Sequence, residues 1–198
     1  MKLYHFDRGR NSEPPDFFIA SLADYLTETG RNLSAQALKA KAPAFRKGEH
    51  GKPYFDDPAF EGIWFSHSDT KGHAVLCFAE EEIGADCENT KARPGIESRW
   101  EAIARRCFTE DEFSYAQTDE GGGADRFFEV WTAKEAYMKY TGNGFSEGFK
   151  SFSVFRLKDA AITTGRIGDA PHVVYSVCVS RKKSPPDAGA GLNRRLCD

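Results

Sequence analysis

Residues Ile83 to Glu88 read IGADCE, and they set two carboxylates two places apart inside an apolar run. In an extended backbone side chains alternate between faces, so Asp86 and Glu88 point one way while Ala85 and Cys87 point the other. Like charges on one strand face repel, and two arrangements make that tolerable. The acidic face can look into solvent, where the charges cost little. Alternatively a divalent cation relieves the repulsion, and carboxylate oxygens suit Mg²⁺, which takes one or two protein carboxylates together with water and phosphate. This stretch by itself leaves both open.

The rest of the chain limits the setting. Its 198 residues are 40% hydrophobic and 29% charged, with 16 Phe, enough for a sizeable core in one large domain or two small ones. A net charge of −3 argues against a protein coated with nucleic acid, while a local basic pocket stays compatible with it. The start, MKLYHFDRGR, has no apolar signal-like core, and no run approaches the roughly 18 apolar residues of a membrane span. There are five cysteines and no CxxC pair; Cys77, Cys87 and Cys178 lie in apolar runs and read as small core residues, and a reducing cytoplasm is the expected setting.

Periodicity gives a mixed α/β protein. Helices are expected over residues 14–29, with Phe17, Leu22, Tyr25 and Leu26 at helical spacing, and from Ser34 to Ala42. Phe45 to Gly51 reads as a basic loop. IWFSHS (Ile63–Ser68) reads as a strand running into a polar turn, and HAVLCFA and IGADCE as a hairpin joined by Glu80-Glu81-Glu82. Ile96–Cys107 is expected to be helical, and Thr109-Glu110-Asp111-Glu112 has the form of a capping box opening another short helix. A Gly-rich flexible loop, Asp119–Asp125, should precede the strongest helix, Arg126–Tyr140, ended by Gly142. Ser151–Lys158 and His172–Ser180 alternate like strands, and residues from Arg181 onward read as a loose tail.

On the long helix WTAKEAYMK, Trp131, Glu135 and Lys139 fall at i, i+4 and i+8 and form one stripe. Glu135 and Lys139 could be a surface ion pair of small consequence. They could equally complete a carboxylate cluster with Asp86 and Glu88 and reach a phosphate oxygen. Lys134, on the neighbouring face, is either solvated or directed at the same anion. The GKP stretch (Gly51–Pro53) and Ser66-His67-Ser68 supply donors suited to an anion, or an ordinary loop lysine and turn histidine. No GxSxG elbow accompanies the serines, which disfavours a Ser/His hydrolase.

In order, GKPYF, a strand ending SHS, IGADCE, a helix leading to RRCFTEDE, WTAKEAYMK and TGNGF resemble the Sfp-type 4′-phosphopantetheinyl transferases, over about Gly51 to Ser180. The chain lacks the Asn usual before Ser-His-Ser in that family, and carries Ala85 and Cys87 where larger aliphatics are common. The resemblance implies an α+β fold of two similar small α/β halves, pseudo-twofold related, with the active site between them. Residues 1–82 would form the coenzyme A nucleotide-binding side, 83–180 the half with the metal-binding carboxylates and the WTAKEAYMK helix, and 181–198 a flexible tail.

It further implies transfer of the phosphopantetheine arm of coenzyme A to a serine of an acyl or peptidyl carrier protein. Asp86, Glu88 and Glu135 would hold Mg²⁺, or Mn²⁺ in its place, with Glu135 as general base and Lys139 on the pyrophosphate. Lys52, Ser66 and His67 would hold the nucleotide end, and Arg31, Lys39, Arg46 and Lys47 are candidates for its 3′-phosphate. A monomer is the expected state, since both halves of the site lie in one chain. Two rivals remain at this stage: a catalytically silent binder of coenzyme A or carrier protein, and a metal-dependent phosphohydrolase.

Overall fold

The computed structural model describes residues 1–9, 14–31, 33–93, 95–118, 123–144 and 148–181. In chain order the elements are β1 (Lys2–Asp7), α1 (Pro14–Glu28), α2 (Ala35–Ala40), β2 (Phe45–Lys47), β3 (Pro53–Phe55), β4 (Trp64–Thr70), β5 (His73–Ala79) and β6 (Ile83–Asn89). They continue with α3 (Trp100–Cys107), α4 (Glu110–Gln117), α5 (Gly123–Thr141), β7 (Ala160–Ile167) and β8 (Ala170–Ser180). The protein is thus mixed α/β, as its periodicity implies. Two three-stranded antiparallel sheets, β1-β5-β4 and β6-β8-β7, carry most of it, and β2 and β3 form a small ribbon.

Strand β5 is buried along its whole length because it serves two cores. Leu76 and Phe78 face α1, where Leu22, Tyr25 and Leu26 supply the helical stripe. Val75, Cys77 and Ala79 face the other way and pack with Ile83, Ala85 and Cys87 of β6 and with Val173 and Val177 of β8. The buried cysteines behave as small apolar residues, and burial pushes the thiols of Cys77, Cys87 and Cys178 up to about 12. The two sheets therefore share a core, with α1 outside one and α5 outside the other.

The expected hairpin between β5 and β6 does not form. Both edges of β5 are taken, by β1 and β4, so β6 pairs with β8 instead and Glu80–Glu82 crosses between sheets. The SHS segment is likewise no turn: β4 continues through it to Thr70. Its hydroxyls instead serve β6. Ser66 Oγ accepts from the Ala85 N–H at 2.8 Å and Thr70 Oγ1 from the Asn89 N–H at 3.0 Å. The constant offset of 19 positions means that β4 and β6 run side by side in the same direction, joined through side chains rather than by a ladder.

Other boundaries shift for local reasons. The start of the expected loop at Phe45 is strand, because Phe45–Lys47 pairs with Pro53–Phe55. The helix expected from Ile96 opens as a 3-10 turn, Ile96–Ser98, and becomes α-helical at Trp100. Helix α5 begins at Gly123, inside the expected flexible loop, where a Cβ would stand 2.1 Å from the Trp100 ring. That glycine permits close packing. The expected strand at Ser151–Lys158 is absent, since its donors go to α4 rather than to a neighbouring strand: Val154 N–H to Glu112 Oε1 at 2.8 Å and Ser153 Oγ to Asp111 Oδ2 at 2.8 Å. Residues 119–122 of the glycine loop and 182–198 of the tail lie outside the described residues.

Gly84 sets the distance between α5 and β6. A Cβ there would meet the Ala136 carbonyl at 2.0 Å and the Tyr140 nitrogen at 2.3 Å, both backbone atoms that cannot swing aside. Gly84→Ala is expected to destabilise the protein by at least about 1–3 kcal/mol, the usual range for overpacking. An unchanged urea midpoint would contradict so tight a helix–strand contact.

Candidate active site

The face of β6 that carries Gly84 also carries Asp86 and Glu88, because all three share one parity along the strand. Gly84 lets α5 descend onto that face, and Glu135 and Lys139, one helical turn apart, come down beside the two carboxylates. Asp86, Glu88, Glu135 and Lys139 line one cavity of about 380 Å³, together with His67, Ser68, Asp69 and Cys87. The long-range meeting of the acidic strand with the Trp-led helix is present.

The partners of these groups are specific. Asp86 is 5% exposed, and its Oδ1 accepts from Lys139 Nζ at 2.8 Å and from Ser68 Oγ at 2.7 Å. Glu88 is 7% exposed, pairs with the Arg93 guanidinium and accepts from Thr70 Oγ1 at 3.3 Å. Burial raises its pKa above the ordinary value, with Arg93 opposing that shift. Glu135 is pushed up to about 7, first by burial and then by the Asp86 charge, while Lys139 pulls the other way. The cavity concentrates negative charge that its own cations only partly offset.

A raised carboxyl pKa has a fixed sign for stability. The fold binds the Glu135 proton more tightly than the unfolded chain does, so this contribution is full below the ordinary value of 4.5 and is lost as pH rises through about 7. In metal-free buffer Glu135→Gln is expected to be more stable than the parent at about pH 8, by on the order of 1–3 kcal/mol. The gain should vanish near pH 4. Thermal melts at both pH values check it, and equal melting curves at pH 8 would contradict the buried charge.

A second cavity of about 710 Å³ adjoins the first and shares His67, Asp69, Glu135 and Lys139 with it. Lys52 and Ser66 also line it, with an apolar wall that includes Phe17, Phe18 and Phe65. The Lys52 ammonium pairs with Glu82 and donates to the carbonyls of Ile83 at 3.0 Å and Tyr140 at 3.1 Å, which ties the GKP segment to β6 and α5. The Ser66 hydroxyl is engaged with Ala85, whereas His67 is exposed beside Asp69 at 2.9 Å. Arg31, Lys39, Arg46 and Lys47 line neither cavity.

Lys134 is neither solvated nor available to an anion. It is fully buried, with its Nζ 2.8 and 2.7 Å from the two Glu112 carboxylate oxygens and 2.7 Å from the Phe152 carbonyl. Trp131 stacks on Phe127 and Phe149, so it anchors the helix in the core and takes no place in the cavity. From sequence, Ser68 reads only as a possible anion donor, not as the partner of Asp86, and Arg93 is not singled out. Ser68 was findable, since it shares its strand face with Ser66; Arg93, five positions past Glu88, offers no periodic signal.

Among the described residues, no group of three or more His, Cys, Asp or Glu is already arranged to hold a metal ion. The donor chemistry nonetheless fits a hard divalent cation, because three carboxylates face one cavity and the least compensated of them holds its proton to about pH 7. Asp86, Glu88 and Glu135 are the residues that could hold one.

Fold and cavity define an α+β protein with a carboxylate- and lysine-lined pocket where an acidic strand meets a long helix. A family model described as the 4′-phosphopantetheinyl transferase superfamily matches residues 82–190, more than half of the chain and the part that contains the acidic strand, the long helix and Asp86, Glu88, Glu135 and Lys139. The chain belongs to that superfamily. Among curated relatives, a Bacillus subtilis protein described as 4′-phosphopantetheinyl transferase is 34% identical over 140 residues, 70% of this chain and 58% of the relative. The 4′-phosphopantetheinyl transferase Sfp of Bacillus subtilis (strain 168) is 34% identical over 121 residues, 60% of this chain and 50% of its own length. The 4′-phosphopantetheinyl transferase AcpT of Salmonella typhi is 30% identical over 115 residues, 57% of this chain and 56% of that protein. This chain thus spans little more than half the length of these relatives. Among the described residues no helix is long and apolar enough to cross a membrane.

Proposed function

We propose that the protein transfers the 4′-phosphopantetheine arm of coenzyme A to a serine hydroxyl of an acyl or peptidyl carrier protein. The observation that carries this reading is the convergence of Asp86, Glu88, Glu135 and Lys139 on one cavity in a member of this superfamily. In the transfer a bond forms between the serine oxygen and the β-phosphorus. The pyrophosphate link breaks, and adenosine 3′,5′-bisphosphate leaves. Catalysis of this kind is mostly positioning and charge neutralisation.

Asp86, Glu88 and Glu135 would hold Mg²⁺, with Mn²⁺ able to replace it. When bound, such an ion neutralises the phosphate oxygens. Glu135 receives the serine proton, directly or through water, and a pKa of about 7 suits a base working near neutrality. Lys139, part-exposed and aimed into the cavity, transfers its contact from Asp86 to a pyrophosphate oxygen. The adjoining cavity takes the nucleotide end: His67 presents a ring to the 3′-phosphate, and Lys52 and Ser66 shape the wall.

On this reading the two sheets are the cores of two pseudo-twofold halves, 1–82 and 83–180, followed by a tail. The change of sheet between β5 and β6 supports that boundary. Since both halves of the site come from one chain, a cytoplasmic monomer suffices. The test is incubation with apo carrier protein, coenzyme A and Mg²⁺, followed by intact-mass measurement of the acceptor. A gain of one phosphopantetheine arm is expected, and no gain across several acceptors would overturn the proposal.

A further inference from the structure

Arg93 lies just past β6, after the 3-10 turn Thr90–Ala92, and forms no part of the lining of either cavity. Its guanidinium nonetheless reaches back to Glu88 through two nitrogens, one on each carboxylate oxygen, with Nε 3.4 Å from Oε2. Such a fork matches a carboxylate in geometry as well as charge. Lys139 holds Asp86 from the helix side through a single contact, Nζ to Oδ1 at 2.8 Å. Two of the three carboxylates thus already carry a cation, and among the described residues no group of three or more His, Cys, Asp or Glu is arranged to hold a metal ion.

The two cations differ in where they can go. Lys139 projects into the cavity and meets any phosphate that arrives there. Arg93 is 53% exposed at its side chain and would withdraw to solvent. The geometry points to Arg93 as a positioning residue: the resident counter-ion of Glu88, competing with a divalent cation and keeping the metal affinity of the free protein low until a phosphate-bearing donor adds its own oxygens. This rests on the proposed metal site.

The test uses the full chain without coenzyme A and measures free Mn²⁺ by electron paramagnetic resonance during titration. Arg93→Gln is expected to bind Mn²⁺ about tenfold more tightly than the parent, a size in keeping with removal of one part-exposed competing charge. Arg93→Lys, which keeps the charge, should stay within about threefold of the parent. Glu88→Gln should bind at least about tenfold more weakly, and Glu88→Gln/Arg93→Gln should match it. If Arg93→Gln binds equally or more weakly while Glu88→Gln is impaired, Arg93 merely braces its partner or is idle, and the inference fails alone. If Glu88→Gln binds as the parent does, the metal-site reading fails and the inference with it. Arg93 is half in solvent but Glu88 is buried, so melting curves in metal-free buffer establish that each variant is folded at the titration temperature before its Mn²⁺ affinity is compared.

Discussion

Glu135→Ala is expected to lower the rate of carrier-protein modification by at least about 100-fold while changing coenzyme A affinity by less than about threefold. The asymmetry follows from where the carboxylate sits. It faces the acidic cavity beside Asp86 and Lys139, where the reacting serine would enter, and although it also borders the adjoining cavity, the residues assigned to the nucleotide end there are Lys52, Ser66 and His67. A positioned general base contributes typically 10²–10⁴-fold, and on the proposed reading the loss of a metal ligand would add to that. Initial rates from intact mass and affinity from calorimetry separate the two effects. Equal losses in both would make Glu135 a donor-binding residue, and no loss in either would favour a silent binder.

The largest structural effect is expected at Lys134, three residues past Trp131 and one before Glu135. Lys134 and Glu112 are both 0% exposed and bonded to each other. Glu112 also accepts from the N–H groups of Thr109 and Val154, both at 2.8 Å, so one carboxylate fastens the start of α4 and the 152–156 segment to α5. Burial pushes the Lys134 pKa down, and the Glu112 charge opposes that fall. Lys134→Met would leave Glu112 buried without its cation, a change that usually costs about 3–5 kcal/mol. Urea unfolding should show it. Removing both charges in Lys134→Met/Glu112→Met should recover part of the loss, because the desolvation penalty then disappears with the pair. A single variant as stable as the parent would mean that the pair holds nothing together.

What could be read from the sequence followed local rules. The capping box at Thr109 is present, with the Thr109 side chain on the Glu112 backbone and the Glu112 side chain on Thr109. Gly142, at φ 71°, stops the long helix as a left-handed glycine should. Asp86 and Glu88 share a face because alternation in a strand requires it. Their meeting with Glu135 was legible only through the order of motifs, since nothing local brings residue 86 to residue 135.

The misses share one cause, which is partnership between distant segments. Glu80–Glu82 looks like a hairpin turn until β1 arrives to occupy the far edge of β5. SFSV alternates like a strand, yet the carboxylates of α4 take its donors. Strands β1 and β7 went unread because their side chains do not alternate cleanly: β1 is part-buried nearly throughout, and β7 is buried only at its ends. Lys134 differs from Lys139 in nothing that composition can show. Five positions of helix carry one to the core and the other to the cavity.

The most direct measurement is anomalous diffraction from crystals grown with Mn²⁺ and coenzyme A. The expected result is one strong peak in the acidic cavity, at about 2.0–2.2 Å from oxygens of Asp86, Glu88 and Glu135, with Lys139 moved from Asp86 to the pyrophosphate. A peak elsewhere, or coenzyme A bound while Asp86 and Glu88 still hold Lys139 and Arg93, would contradict the central claim.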